Sequence, residues 1–260
     1  MKIFTCLKEV PDRDTRYELN TEQNEIEEAG LTFEISECDE YALEESLKLR
    51  EKYGGEVVIL TVGRQGSQKS IRKGLAMGAD RAIFINDKER KIFSPHATAK
   101  VLAEVLQSKK YDLILAGTQS DDLGYSQTGV ILAEMLKLPY ATIVMEVEID
   151  LENNQVRALR EMESGWFQWV QMSLPALLTI QAGISQVRYV SLKGIMQARK
   201  KEIRRIELEE LIIDLEKLPS LKVGKLYFPN LGRKTEILQG DTNTAVKELI
   251  KKLNKVVGVN

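Results

Sequence analysis

Residues Gly117 to Gly129 read G-T-Q-S-D-D-L-G-Y-S-Q-T-G, and their placement decides the fold. They follow a short apolar run, Leu113 to Ala116, and lead into Val130 to Leu138, where apolar residues recur at helical spacing. The order strand, polar loop, helix puts this stretch at the carboxyl edge of an open α/β sheet, where ligands bind. The first turn of a helix after such a loop offers free N–H groups and the positive end of the helix dipole, both suited to phosphate oxygens. Gln119, Ser120, Ser126, Gln127 and Thr128 add side-chain partners.

Upstream, the pattern repeats. Lys2 to Leu7 predicts a strand stopped at Lys8 to Asp12 by proline and charge, and Arg13 to Glu28 a hairpin or surface excursion. A helix runs from Asp39 to Gly54-Gly55. Then come a strand at Glu56 to Val62, a helix at Lys69 to Met77, a strand at Arg81 to Ile85, a helix at Ser94 to Gln107 and a strand at Asp112 to Ala116. Such alternation predicts right-handed crossovers and a mostly parallel sheet. Beyond Leu138-Pro139 the pattern changes. Thr142 to Ile149, Gln155 to Met162 and Trp166 to Met172 read as antiparallel hairpins, and Pro175 to Ile180 as one more buried strand. From Gln181 the chain loses sheet character and turns basic. Arg205 to Leu218 reads as an amphipathic helix, Pro219 to Gly240 as irregular, and Thr244 to Val256 as a final helix.

At 260 residues the chain can bury a full core in one large domain with an extension. Its 37 basic and 39 acidic residues leave a formal charge of −2, which gives no field to hold a nucleic-acid backbone. No apolar run reaches ~18 residues, and the N-terminus enters a strand pattern at once. The expectation is a cytoplasmic protein without membrane insertion. Two cysteines and one histidine are too few for a disulfide framework or a structural metal site, so reduced thiols are expected.

Three segments should meet at the carboxyl edge of the sheet: Cys6 to Lys8, the loop before the first helix (Ser36 to Asp39), and Gly117 to Thr128. Sheet edges always gather loops, so composition leaves a nucleotide site and plain turns evenly balanced. Neither a Walker loop nor a G-x-G-x-x-G fingerprint is present, which argues against P-loop NTPases and ordinary dinucleotide dehydrogenases. Asp121 and Asp122 would repel a bare triphosphate, and are expected to turn away and cap the following helix. No catalytic set is found: His96 belongs in an exposed first turn, and neither cysteine has a histidine base. In the basic stretch Tyr189 to Lys201, Leu192, Ile195 and Met196 form an apolar patch beside Arg199 and Lys200. Docking onto an acidic protein surface would suit it, although spacing alone favours an ordinary helix packed on its own domain.

Several segments together resemble the beta (small) subunit of electron transfer flavoproteins over nearly the whole chain. They are Asp39 to Glu45, Ile71 to Arg81, Gly117-x-Gln119 with Asp122, Gln127 to Gly129, Leu174 to Ala176, and Arg188 to Leu192 running on to Lys201. The resemblance implies an α/β fold with a three-layer, mostly parallel Rossmann-like sheet of the adenine nucleotide hydrolase-like kind, with antiparallel hairpin additions and a C-terminal arm. Residues 1–187 would form the adenine-nucleotide-binding domain, and residues 188–260 a recognition loop and an arm packing on the alpha subunit. It implies AMP in this chain, or a second FAD in electron-bifurcating members that oxidise NADH, with the redox-active FAD in the alpha-subunit partner. The nucleotide would lie against Cys6, Ser36, Glu37, Cys38, Asp39, Val62, Gly117, Gln119, Ser120, Asp121, Asp122, Ser126, Gln127 and Thr128. Leu192, Ile195, Met196, Arg199 and Lys200 would dock a flavin dehydrogenase of the acyl-CoA type, reversing the preference from spacing, and electrons would pass to a quinone-linked oxidoreductase. On this reading the chain is an electron carrier subunit, not an enzyme. Three departures stand out: Ser36-Glu37 where the family usually has Asn-Pro, Arg13 where many shuttle-type members have an aromatic residue near the alpha-subunit flavin, and Gly165, followed by Trp166 and Trp169, in a hairpin where the family often has paired glycines. Outside the family, an ATP-binding stress or sensor module is the alternative.

Overall fold

The computed structural model describes residues 1–257 except 21, 23, 89–93, 215, 216, 218–220, 222, 223 and 230–234. The first strand, β1 (Lys2–Cys6), is followed by β2 (Glu9–Pro11), the hairpin β3 (Glu18–Asn20) and β4 (Glu25–Glu27), and β5 (Phe33–Ile35), which returns antiparallel to β2. The expected excursion over residues 13–28 is therefore a hairpin standing on a two-stranded base.

Helix α1 (Glu37–Tyr53), β6 (Glu56–Gly63), α2 (Gln68–Met77), β7 (Arg81–Asn86), α3 (Pro95–Gln107), β8 (Leu113–Gly117) and α4 (Thr128–Leu136) follow the predicted alternation. Next come β9 (Tyr140–Asp150), β10 (Gln155–Glu161), β11 (Phe167–Ser173) and β12 (Ala176–Ile180), then α5 (Leu192–Ala198), β13 (Ile203–Glu207) and α6 (Thr242–Val257). The main sheet has nine strands in the order β11-β10-β9-β12-β8-β1-β6-β7-β13. Only β9, β10 and β11 pair antiparallel; from β9 through β12 to β13 every pairing is parallel. The chain builds outward from β1 through β6 and β7, then crosses to the other side of β1 with β8. That reversal is the topological switch point, and its crevice opens at the carboxyl ends of β1 and β8.

Alternation along the strands sends side chains to two cores. Ile3, Val57, Ile59, Leu113 and Leu115 face α1 and α2, with Leu43, Leu47, Ile71 and Leu75 packed over them. Phe4, Val58, Leu60, Ile83 and Ile114 face α3 and α4, covered by Leu102, Leu106, Leu132 and Ala133. The result is a three-layer α/β domain. The antiparallel strands and the buried strand at Ala176 to Ile180 stand as the sequence predicts; the latter is inserted between β8 and β9.

Three readings need correction. The chain does not lose sheet character after Gln181, because Ile203 to Glu207 pairs in parallel with Ala82 to Asn86 as the ninth strand. Its charged residues, Arg204 and Arg205, are exposed while Ile206 is buried; this is a charged edge strand, a form that protects a sheet from further pairing. The helix expected over residues 205–218 is consequently replaced by this strand and a short 3-10 turn at Leu208–Glu210, and 215, 216 and 218 lie outside the described residues. The first helix starts at Glu37, so Glu37 to Asp39 belong to its first turn instead of a preceding loop.

Replacing Ile206 with Ala should cost about 2–4 kcal/mol by leaving a cavity over α3, read as a lower midpoint in chemical denaturation. Unchanged stability would show the 203–207 segment to be a free arm.

Candidate functional site

At the switch point Asp39 joins the ends of the two central strands. Its helix packs across β1 and β8, which carries the side chain under their carboxyl ends. There the backbone N–H of Lys8 donates to Oδ2 at 2.8 Å and that of Gly117 to Oδ1 at 2.7 Å. Burial pushes the Asp39 carboxyl up to about 7, against the pull of these two donors and of the Lys8 ammonium. Gly117 must be glycine for this contact: a Cβ there would lie 2.5 Å from Asp39 Oδ1 and 2.8 Å from the Asp39 backbone nitrogen. A similar close approach occurs at Gly129, where a Cβ would fall 2.6 Å from Thr179 Cγ2, so the glycine lets α4 begin tight against β12.

The loop from Gly117 to Thr128 wraps the sheet edge from the α1 face to the α4 face. On the α1 side, Asp121 is fixed three ways. Its N–H donates to Ser36 Oγ at 3.2 Å, its Oδ2 accepts the Glu37 N–H at 2.8 Å, and Arg13 lies 3.3 Å from the same oxygen. Asp121 thus satisfies a free N–H in the first turn of α1 from outside that helix. Arg13 also pairs with Glu37 Oε2 at 2.7 Å. Asp122 receives Lys8 Nζ at 2.6 and 2.7 Å on its two oxygens and the Leu123 N–H at 2.7 Å. Burial opposes its charge, but Lys8, Ser120 and Leu123 hold its carboxyl below the ordinary value.

These contacts correct the expectation that Asp121 and Asp122 cap the helix after their loop. The N-cap of α4 is Gln127, whose side chain makes no capping bond, and the two carboxylates are drawn instead to α1 and Lys8. A linear motif could not show this, because the partners lie 84 and 114 residues away. Lys8 lies in the predicted segment Cys6 to Lys8, but its pairing with Asp122, and that of Arg13 with Asp121, could not be read for the same reason.

Of the predicted residues, Ser36, Glu37, Asp39, Gly117, Ser120, Asp121 and Asp122 are joined through hydrogen bonds with Lys8 and Arg13. Ser126 Oγ reaches Gln119 Oε1 at 3.5 Å. Cys38 is buried in the first turn of α1, where burial raises its thiol although the N–H groups of Gln119 and Ala182 favour the thiolate. Cys6 and Val62 pack on the opposite face of the sheet, with the α3 and α4 core. Burial, with the Asp39 charge, pushes the Cys6 thiol up to about 12. Both thiols are free. Thr128 opens α4. A cleft of about 440 Å3 lies on the excursion beside the turn that carries Arg13, lined by Asp12, Asp14, Glu18 and Glu27 with Arg16. Among the described residues no His, Cys, Asp and Glu group is arranged to hold a metal, and no helix is long and apolar enough to cross a membrane.

The second predicted surface is braced at both ends. Arg188 donates through its backbone and guanidinium to Glu44, whose side chain is 3% exposed, and also reaches Glu51. At the other end Lys201 Nζ donates to the Leu75 and Ala79 carbonyls at 3.0 and 2.6 Å, neutralising the C-terminus of α2. Between them α5 lies so close to α2 that a Cβ on Gly194 would meet the Ala76 carbonyl oxygen at 2.3 Å. The small residues Gly194 and Ala198 therefore face the domain. Leu192 and Met196 face outward, 81% and 69% exposed, with Ile195 partly so. The helix packs on its own domain, as spacing suggested, yet through its small face, which leaves the apolar one uncovered. Arg199 and Lys200 are exposed beside it.

Sheet order, switch point and edge loops define a three-layer Rossmann-like domain whose candidate site lies between β1 and β8. Residues 23–211 match the family model described as the electron transfer flavoprotein domain. The chain is 32% identical over 264 residues to electron transfer flavoprotein subunit beta of Methylophilus methylotrophus, covering 99% of this chain and 100% of that one. The subunit beta of Bacillus subtilis (strain 168) is 34% identical over 253 residues, 96% of each chain. That of Bradyrhizobium diazoefficiens is 34% identical over 262 residues, 100% of each. The chain belongs to the electron transfer flavoprotein family, as a beta subunit.

The Asp39 titration makes a signed prediction. Its carboxyl is near 3.8 when unfolded and about 7 when folded, so the folded state holds a proton that the unfolded state releases. The stability this contributes is full below pH ~4 and is lost as pH rises to ~7. Denaturation midpoints across this range should fall less steeply in Asp39→Asn than in the parent. Equal slopes would contradict the assignment.

Proposed function

We propose that this chain, paired with an alpha subunit, forms a heterodimeric electron carrier and binds AMP at the β1/β8 edge. The observation that carries the nucleotide reading is the free first turn of α4. Its N-cap side chain makes no bond to it, glycine at 129 seats it close against β12 at the sheet edge, and the loop carboxylates are engaged elsewhere. The N–H groups of Thr128, Gly129 and Val130 would hold the phosphate. Gly117 and the Asp39 bridge keep the strand ends at the spacing the loop needs, and Cys6 and Val62 offer apolar surface on the α4 face for the adenine ring. The cations nearest the loop, Lys8 and Arg13, already pair with Asp122 and Asp121. That leaves N–H groups without surplus positive charge, which suits one phosphate better than three and weighs against an ATP sensor.

The redox chemistry would be supplied by FAD bound to the alpha subunit. This chain's residues would order the nucleotide and present the docking patch. Leu192 and Met196, rimmed by Arg199 and Lys200, have the form of an apolar anchor inside a cationic border, which fits an acidic rim around a pocket on a flavin dehydrogenase of the acyl-CoA type. A quinone-linked oxidoreductase would then take the electrons.

The complex purified with its alpha subunit and denatured should release one FAD and one AMP per heterodimer, quantified by chromatography with mass detection. Two FAD and no AMP would place a second flavin here, as in a bifurcating carrier, and no nucleotide in this chain would make the edge vestigial. Leu192→Ala should leave assembly intact and slow electron transfer from the dehydrogenase about tenfold, the scale of a buried anchor. Unchanged transfer kinetics would remove the docking assignment.

A further inference from the structure

We propose that Arg13 is the clasp of a strap over the nucleotide edge, so that the salt-sensitive Arg13–Asp121–Glu37 cluster sets how fast the nucleotide is exchanged. The inference rests on the nucleotide reading above. Arg13 sits at the tip of a turn closed by the Thr15 N–H donating to the Asp12 carbonyl and anchored by the Asp12 N–H donating to the Thr32 carbonyl. The β2 and β5 pair supports this turn beside the first turn of α1. From there the guanidinium reaches Glu37 at 2.7 Å and Asp121 at 3.3 Å. Among the described residues it is the ion pair that links the 12–32 excursion to the 118–127 loop.

The loop's two ionic ties differ in kind. Lys8 extends from the end of a central strand, so its pairing with Asp122 is fixed to the sheet. Arg13 belongs to the excursion, and its side chain is half exposed. Opening the loop by separating Asp121 from Arg13, from the Glu37 N–H and from Ser36 Oγ would leave the Lys8 tie as a hinge, because the attachments are to adjacent residues of one loop. Half-exposed ion pairs are weak singly and are screened by salt. Such a clasp is suited to controlling exchange without contributing much to the stability of the fold.

The test uses the intact heterodimer. Exchange of bound nucleotide against excess 15N-labelled AMP is followed by mass detection between about 0.02 M and 0.5 M salt, and amide hydrogen exchange is measured at Glu37 and Asp121. Arg13→Gln should accelerate nucleotide exchange about two- to tenfold at low salt. The parent should approach that rate as salt rises, and both amides should exchange faster in the variant. Nucleotide that is bound but exchanges at the parent rate in Arg13→Gln at every salt concentration overturns the clasp. A complex that carries no nucleotide overturns the reading of the edge instead, and the amides then decide: faster exchange at Glu37 and Asp121 supports the closure, and unchanged exchange overturns it.

Discussion

Asp39 accepts the N–H of Lys8, just past β1, and that of Gly117, the last residue of β8, on its two oxygens, and the candidate edge is organised around that bridge. The strand ends at a switch point diverge, since the chain leaves them in opposite directions, and their last N–H groups have no sheet partner. A buried carboxylate from α1 satisfies both and sets the gap between them. The cost appears in the carboxyl itself, pushed up to about 7 by burial. Two consequences follow: Gly117 has no room for a side chain, and α1 is drawn so far over the edge that its own first turn must be satisfied by Asp121. With α1's first turn occupied, the first turn of α4 is the remaining anion-compatible helix start at this edge among the described residues.

The segment proposed to dock a dehydrogenase obeys the same economy of charge. Arg188 and Lys201 spend their positive charge inward, on a buried glutamate and on the carbonyls ending α2. Holding both ends of the segment rigid lets its middle expose Leu192 and Met196 without the disorder that exposed apolar chain would otherwise carry. The exposed cations Arg199 and Lys200 surround that patch instead of bracing it, a division of labour that composition alone could not assign.

Most of the fold was legible in the sequence because it depends on local periodicity. Apolar runs of strand length alternated with helical patterns from Lys2 to Leu138, and the Glu152-Asn153-Asn154 and Glu163-Ser164-Gly165 punctuation marked the hairpins. The ninth strand escaped because Ile203-Arg-Arg-Ile-Glu207 is an edge strand whose charges face solvent, so it resembles the start of a basic helix. Within the candidate site, positions along one loop could be read and their partners could not. Asp121 and Asp122 sit next to each other and yet serve α1 and β1, respectively. Which face Cys6 occupied was also hidden: it lies with Phe4 on the α4 side of the sheet, while Cys38 rides on α1.

The central claim is that α4, and not α1, receives the phosphate at an edge braced by Asp39. Amide NMR of the 15N-labelled chain in its heterodimer, stripped of nucleotide and titrated with AMP, tests it directly. The account predicts the largest shifts at Thr128, Gly129 and Val130, with little change at Glu37, whose N–H is already donated to Asp121. Largest shifts at Glu37 and Cys38, or no response along residues 117–130, would contradict it.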